Sequence, residues 1–191
     1  MIVESAHTRQ FNHGRTETVR IVTSDSVAFV KAMAHLDQSS AETKLHLLRR
    51  ACVSHVELLK KAMNGFGIER HLLGLRAMAR ELSLQTEALD APAFHMKWGM
   101  SADSCPVQRG PSGGFGGHCD GGYGVSYHIN EENIYFHVCH RTGGLTDRKQ
   151  GISDAFCVAV EQALLDMSIL CTKTAQIAQN NSLETLDWTN M

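Results

Sequence analysis

Six side chains able to ligate a metal fall between His118 and His140: His118, Cys119, His128, His137, Cys139 and His140. Imidazole nitrogen and thiolate sulfur are donors that zinc takes. A metal-binding α/β module is therefore one reading of the chain. The spacings are irregular, however, and no C-x-x-C pair occurs. Side chains alternate along a strand, so His137 and Cys139 point away from the face that His140 takes. The pattern favours packed or solvated histidines, and no metal ligand is assigned.

The other residues with chemical potential sit in short polar stretches. HGRTETVR (13–20) is densely charged, and Arg70 stands just before an apolar run in GIERHLLGL (67–75). The glycine-rich GPSGGFGGHCDGGYG (110–124) contains Phe115 and Tyr123. A solvated linker has no use for two large rings, so this stretch is expected to be a tight loop against a site. It leads into a predicted hairpin with strands at 125–129 and 134–139 and a turn at 130–133.

Helices must carry the rest. Ser24 to Ala34 reads as a short helix with Val27, Val30 and Met33 on one face. Residues 41–63 predict the clearest helix, with Leu45, Leu48, Cys52, Val56, Leu59 and Met63 in one stripe. Ser39 and Glu42 have the spacing of a capping box. Gly65 and Gly67 are expected to end it, because glycine tolerates the left-handed conformation. Further helices are expected at 70–82 and from Ser153, the last with Phe156, Val160, Leu164, Met167 and Cys171 aligned. A turn surrounds Pro92, and residues 2–23 read as a polar segment. Long helices with a hairpin imply an α/β fold, α+β in two layers, over one domain at 1–178 and a polar tail at 179–191.

The bulk chemistry narrows the function classes. The chain is 43% hydrophobic and 20% charged, enough apolar material for a core. Its 18 basic and 20 acidic residues give a net charge of -2, with no basic excess to bind nucleic acid. The six cysteines are scattered behind a start, MIVESAHTRQF, that has no apolar leader core. They are expected to be reduced and mostly buried, in a cytosol-like compartment. No uninterrupted run of about 18 apolar residues occurs, so no membrane-spanning segment is expected.

Four segments in order carry a resemblance: ESAHTRQFNHGRTETVR (4–20), GIERHLLGL (67–75), GGFGGHCDGGYGVSYHI (113–129) and ALLDM (163–167). Together they resemble the choline/carnitine acyltransferase family, and its palmitoyltransferases most closely. The resemblance implies one of two similar halves of the chloramphenicol-acetyltransferase type, with a tunnel between them that admits carnitine from one face and acyl-CoA from the other. It implies long-chain acyl transfer between CoA and carnitine, mitochondrial localisation, acyl-CoA as co-substrate and no permanently bound cofactor. It also implies that the general base, a histidine in an H-x-x-x-D/E motif, belongs to the other half. His128 and Glu132 share that spacing but fall in a segment matching a different part of the family, so no catalytic residue is assigned.

The resemblance assigns carnitine contacts to Thr16, Arg70, Ser101 and Phe115, and a CoA contact to Ser5. The physical logic is direct. A desolvated carboxylate needs donors, and a planar guanidinium offers it two parallel bonds. Aromatic rings attract a trimethylammonium group. Three positions depart from the family: Val3 replaces a tyrosine that binds carnitine, Asp103 replaces a serine that steadies the oxyanion, and Gly117 replaces a proline. An ionised aspartate offers acceptors only. The expected function is the C-terminal portion of a carnitine O-palmitoyltransferase-like enzyme, inactive alone and partnered by the other half. The alternative is a degenerate relative that binds ligand or another chain without catalysis.

Overall fold

The computed structural model describes residues 1–34, 39–94, 96–104, 113–143 and 151–184. Cys105, the first glycine-rich residues 110–112 and the tail residues 185–191 lie outside these. The described strands are β1 (Ile2–His7), β2 (Thr16–Arg20), β3 (Met100–Ser104), β4 (Tyr123–Ile129) and β5 (Ile134–His140). The helices are α1 (Ser24–Met33), α2 (Ala41–Met63), α3 (Glu69–Glu81) and α4 (Ile152–Glu184), with a 3₁₀ turn at Pro92–Phe94. The fold is mixed α/β, with one five-stranded sheet in the order β2-β1-β3-β4-β5. β1, β3 and β4 run parallel, and β2 and β5 close the edges antiparallel.

Two compact units can be told apart. The first comprises residues 1–22 and 55–154. Ala6 of β1 and Val19 of β2 share a sheet face and pack on Leu58, Leu59 and Ala62 of α2, with Ile21 alongside. The end of α2 leaves four carbonyls to satisfy, and each has a donor. Asn64 N bonds Lys60 O at 3.1 Å, Phe66 N bonds Lys61 O at 2.9 Å, and Gly65 N bonds Ala62 O at 3.1 Å. Gln10 Nε2 reaches Met63 O at 3.0 Å. The crossed bonds from Phe66 and Gly65 are the Schellman arrangement, and Gly65 takes the left-handed φ of 82° it requires. Gly67, expected to share this role, does something else, described below.

The second unit comprises residues 23–54 and 155–191. Thr23 and Ser26 form a reciprocal capping box on α1. Asp25 in its first turn accepts from Arg50 Nη2 at 2.5 Å and from the Ser54 hydroxyl. Phe29, Ala32 and Leu170 are buried. The cap of α2 is Ser40, whose hydroxyl accepts from Thr43 N at 3.2 Å. The expected Ser39 and Glu42 box is therefore displaced by one residue. Ser39 and Ser40 are equally good caps by type, so the pattern does not distinguish them.

Helix α4 bears on the expectation that no segment spans a membrane. Ile152–Gln176 is long and apolar enough to cross a membrane by length and composition, with mean hydropathy 1.5 and 6% of that stretch buried. Glu161 and Asp166 interrupt the apolar run, so a search for unbroken apolar sequence misses it, while the average does not. Length and composition alone do not make it a membrane span.

Candidate functional site

The sheet edge at β2 is where the first expected site residues meet. Thr16 and Glu17 are neighbours in β2, so their side chains leave on opposite faces. Arg70, in the first turn of α3, donates through Nε to the Thr16 carbonyl and lies with Nη2 3.4 Å from the Thr16 hydroxyl. The guanidinium is thus tied to β2 and remains exposed at its outer edge. Helix α3 has no side-chain cap at Ile68. Glu17 takes over that role: both carboxylate oxygens lie 3.3 Å from Arg70 N, and Oε1 also accepts from Thr18 N at 2.7 Å. A carboxylate at a helix N-terminus satisfies orphan donors and complements the dipole. Glu17 is 5% exposed, so this coverage is what permits its burial. A Cβ on Gly67 would lie 2.1 Å from Glu17 Cγ, which is why glycine stands there. Arg20 binds Glu69 at 2.6 Å and locks the same edge a second time.

The other assigned residues lie further along the same sheet. Ser101 is 4% exposed in β3, facing Val3 of β1 on one side and Gly124 of β4 on the other. The loop carrying Phe115 is pressed onto Gly124: a Cβ there would lie 2.1 Å from the Phe115 carbonyl. The expected tight loop is therefore present, with Ser126 Oγ bonding Gly113 O at 3.1 Å. A Cβ on Gly117 would lie 2.3 Å from Gly122 O. Thr16 faces His7, four residues along β1 from Val3. Four residues of strand rise, with two inter-strand spacings across the sheet, separate Thr16 from Ser101 by about 16 Å.

Ser5 opens onto a cavity of about 330 Å³ at the C-terminal ends of β1 and β3. This cavity contains what the sequence reading missed. Glu4, 6% exposed, accepts from the Tyr127 hydroxyl at 2.5 Å and lies 3.2 Å from His55 Nε2. His7 Nε2 lies 3.8 Å from Asp103 Oδ1, and neither atom has a hydrogen-bond partner among the described residues. Burial raises the Asp103 carboxyl above its ordinary value, His7 pulls it down, and the Glu4 charge pushes it up again. Tyr127 is raised by burial first and by its bond to Glu4 second. Residue parity was the available signal: Glu17 shares a face with Val19, and Glu4 with Ala6, so both acids were placed for burial.

The metal-type residues disperse. His137 and Cys139 pair with Ser126 and Gly124, whereas His140 pairs with Tyr123 on the other face. His118 stacks edge-on against Trp98, with centroids 5.1 Å apart. Among the described residues, no three His, Cys, Asp or Glu side chains gather as a metal site. His128 lies in β4, opposite Tyr135.

Comparison with known proteins decides the family. The description Choline/Carnitine o-acyltransferase matches residues 1–162. The chain belongs to the choline/carnitine acyltransferase family. It is 34% identical to the muscle isoform of carnitine O-palmitoyltransferase 1 from Homo sapiens over 181 residues, covering 87% of this chain and 23% of that protein. The liver isoform from Homo sapiens is 37% identical over 153 residues, covering 71% of this chain and 19% of the relative. Choline O-acetyltransferase from Danio rerio is 31% identical over 173 residues, covering 89% and 26%. The chain thus spans about a quarter of the length of these acyltransferases or less.

Proposed function

We propose that this chain provides the carnitine-carboxylate subsite and part of the CoA wall of a palmitoyltransferase-like carnitine acyltransferase. One observation carries the reading: Arg70 and Thr16 are brought into direct contact at the start of α3, with Glu17 fixing the helix end behind them. A guanidinium beside a hydroxyl is a receptor for a carboxylate. Ser101 and Phe115 are proposed to line the same ligand further along the sheet, and Ser5 to meet CoA from its cavity. The fold is proposed to be a chloramphenicol-acetyltransferase-like half, and the general base to come from protein beyond these 191 residues. Long-chain acyl specificity, a role in fatty acid metabolism and a mitochondrial location follow the palmitoyltransferase resemblance.

The chemistry then divides cleanly. Arg70 and Thr16 orient the carnitine carboxylate, so that the hydroxyl meets a base supplied by the other half. The base takes the hydroxyl proton, the alkoxide attacks the thioester carbonyl, and CoA leaves as the thiol when the proton returns. Asp103 stands where negative charge would develop. Burial raises its carboxyl above the ordinary value, and only its protonated form has a hydrogen to donate. One observation favours a non-catalytic relative that binds ligand or another chain: Val3 is 1% exposed and offers no donor where the family has tyrosine. Calorimetry with L-carnitine and its methyl ester tests the carboxylate reading. Carnitine should bind at least tenfold tighter than the ester, the worth of one charge-assisted hydrogen bond. Equal binding of the two would reject it.

A further inference from the structure

His7 Nε2 and Asp103 Oδ1 are both buried atoms, and they face each other across 3.8 Å with no hydrogen-bond partner among the described residues. Buried polar atoms are ordinarily bonded, because leaving one unmet costs free energy. The neighbouring acid, Glu4, is already satisfied: it accepts from Tyr127 and lies against His55. His7 and Asp103 come from adjacent parallel strands, β1 and β3. Both line the cavity of about 330 Å³ whose apolar wall is Ala6, Leu59 and Met63. The His7 side chain is 37% exposed although its Nε2 is buried, so its open part is the rest of the ring, which carries Nδ1.

We infer that His7 and Asp103 form a general-base dyad that hydrolyses small activated acyl esters in this cavity, with water as the acceptor. Asp103 holds Nε2–H, which fixes the tautomer and leaves the lone pair on Nδ1. A water oxygen attacks the acyl carbonyl carbon while Nδ1 takes its proton. The tetrahedral oxyanion collapses, the carbon–oxygen bond to the leaving group breaks, and the imidazolium returns the proton to the leaving oxygen. Acid and alcohol are the products, and no other reactant is needed. Ser5 and Arg9 border the cavity and offer donors to the oxyanion. The 3.8 Å gap is that of a resting pair, since catalytic hydrogen bonds tighten in the substrate complex. His7 is thus the catalytic residue and Asp103 a positioning residue. The activity requires neither carnitine nor CoA, so its failure would leave the carboxylate subsite standing.

Release of p-nitrophenolate from p-nitrophenyl butyrate by the full chain tests it. The rate should saturate with ester and continue for many equivalents per chain. Acylation of Cys52, Cys157 and Cys171, which are exposed rather than buried as expected, cannot give such turnover. His7→Gln should lose about 100-fold or more in kcat, the range of general-base catalysis. Asp103→Asn should lower kcat by about tenfold or more while KM is held, because it removes the group that orients the imidazole and not the ester site. His71→Gln, which alters an exposed imidazole on α3, should behave as the parent. Free imidazole should restore part of the rate to His7→Ala, with an unchanged circular dichroism spectrum. Absent turnover, or a rate that His7→Gln leaves unaltered, overturns the site. A rate that depends on His7 but not on Asp103 overturns the dyad.

Discussion

At the residue scale, the site rests on polar side chains buried only because a distant partner meets them. Asp103 illustrates the cost. Its folded-state proton affinity is raised, so the stability it contributes is present below its ordinary pKa of 3.8 and is lost as pH rises through the raised value. Asp103→Asn should therefore melt higher than the parent at neutral pH, and the gap should close as pH falls below about 4. Thermal scans from pH 3 to 7 check this, and a gap that is independent of pH would show that desolvation is not the cause. Val3 is a second case. It is 1% exposed, so restoring the family's tyrosine there overfills the sheet. Val3→Tyr should destabilise the chain by about 1–3 kcal/mol in urea unfolding. A neutral result would mean that space for a tyrosine ring exists beside Ser101.

At the scale of elements, helix ends set the geometry. Gly67→Ala forces Glu17 off the N-terminus of α3 and should cost about 1–3 kcal/mol, with weakened carnitine binding as the accompanying loss. Helix α3 closes on Ser83, whose φ is 52°, with Leu84 N bonding Ala79 O at 2.8 Å. Ser83→Gly removes a left-handed strain and should stabilise by about 0.5–1 kcal/mol, measured by urea unfolding. The same elements explain what was legible beforehand. The bounds expected for α2 match Ala41–Met63, but Cys52, Val56 and Met63 of its expected stripe are exposed and Ala62 is the buried residue, whereas the β4–β5 hairpin fell where alternation and the 130–133 turn put it. β1, β2 and β3 did not stand out, because ESAH, TETVR and MSADS place polar residues at buried positions. Glu4, Glu17 and Ser101 are each below 7% exposed. Their partners, Tyr127, the α3 N-terminus and the neighbouring strands, lie far away in sequence, where local periodicity carries no trace. The Thr16–Arg70 pair was reached through the resemblance, whereas the approach of His7 to Asp103 shows only in the folded chain.

At the scale of the whole molecule, the chain corresponds to about a quarter of its acyltransferase relatives or less, and part of its surface is apolar. Val158, Leu165 and Ile169 of α4 are 65%, 52% and 49% exposed and lie on one helical face. Exposed apolar patches drive association. The chain should self-associate in sedimentation runs, and Val158→Glu/Leu165→Glu/Ile169→Glu should shift it towards monomer. A parent that sediments as a monomer at high concentration would contradict this. The central claim, that this surface receives the carboxylate of carnitine, is tested most directly by calorimetric titration of carnitine into the parent, Arg70→Ala and Arg80→Ala. Arg80 is the appropriate control because Arg76, by contrast, holds Leu89 O and Phe94 O and has a structural task of its own. The account predicts that Arg70→Ala loses tenfold or more in affinity, in line with a charge-assisted hydrogen bond, while Arg80→Ala binds as the parent does. Equal affinity in all three folded proteins would contradict it.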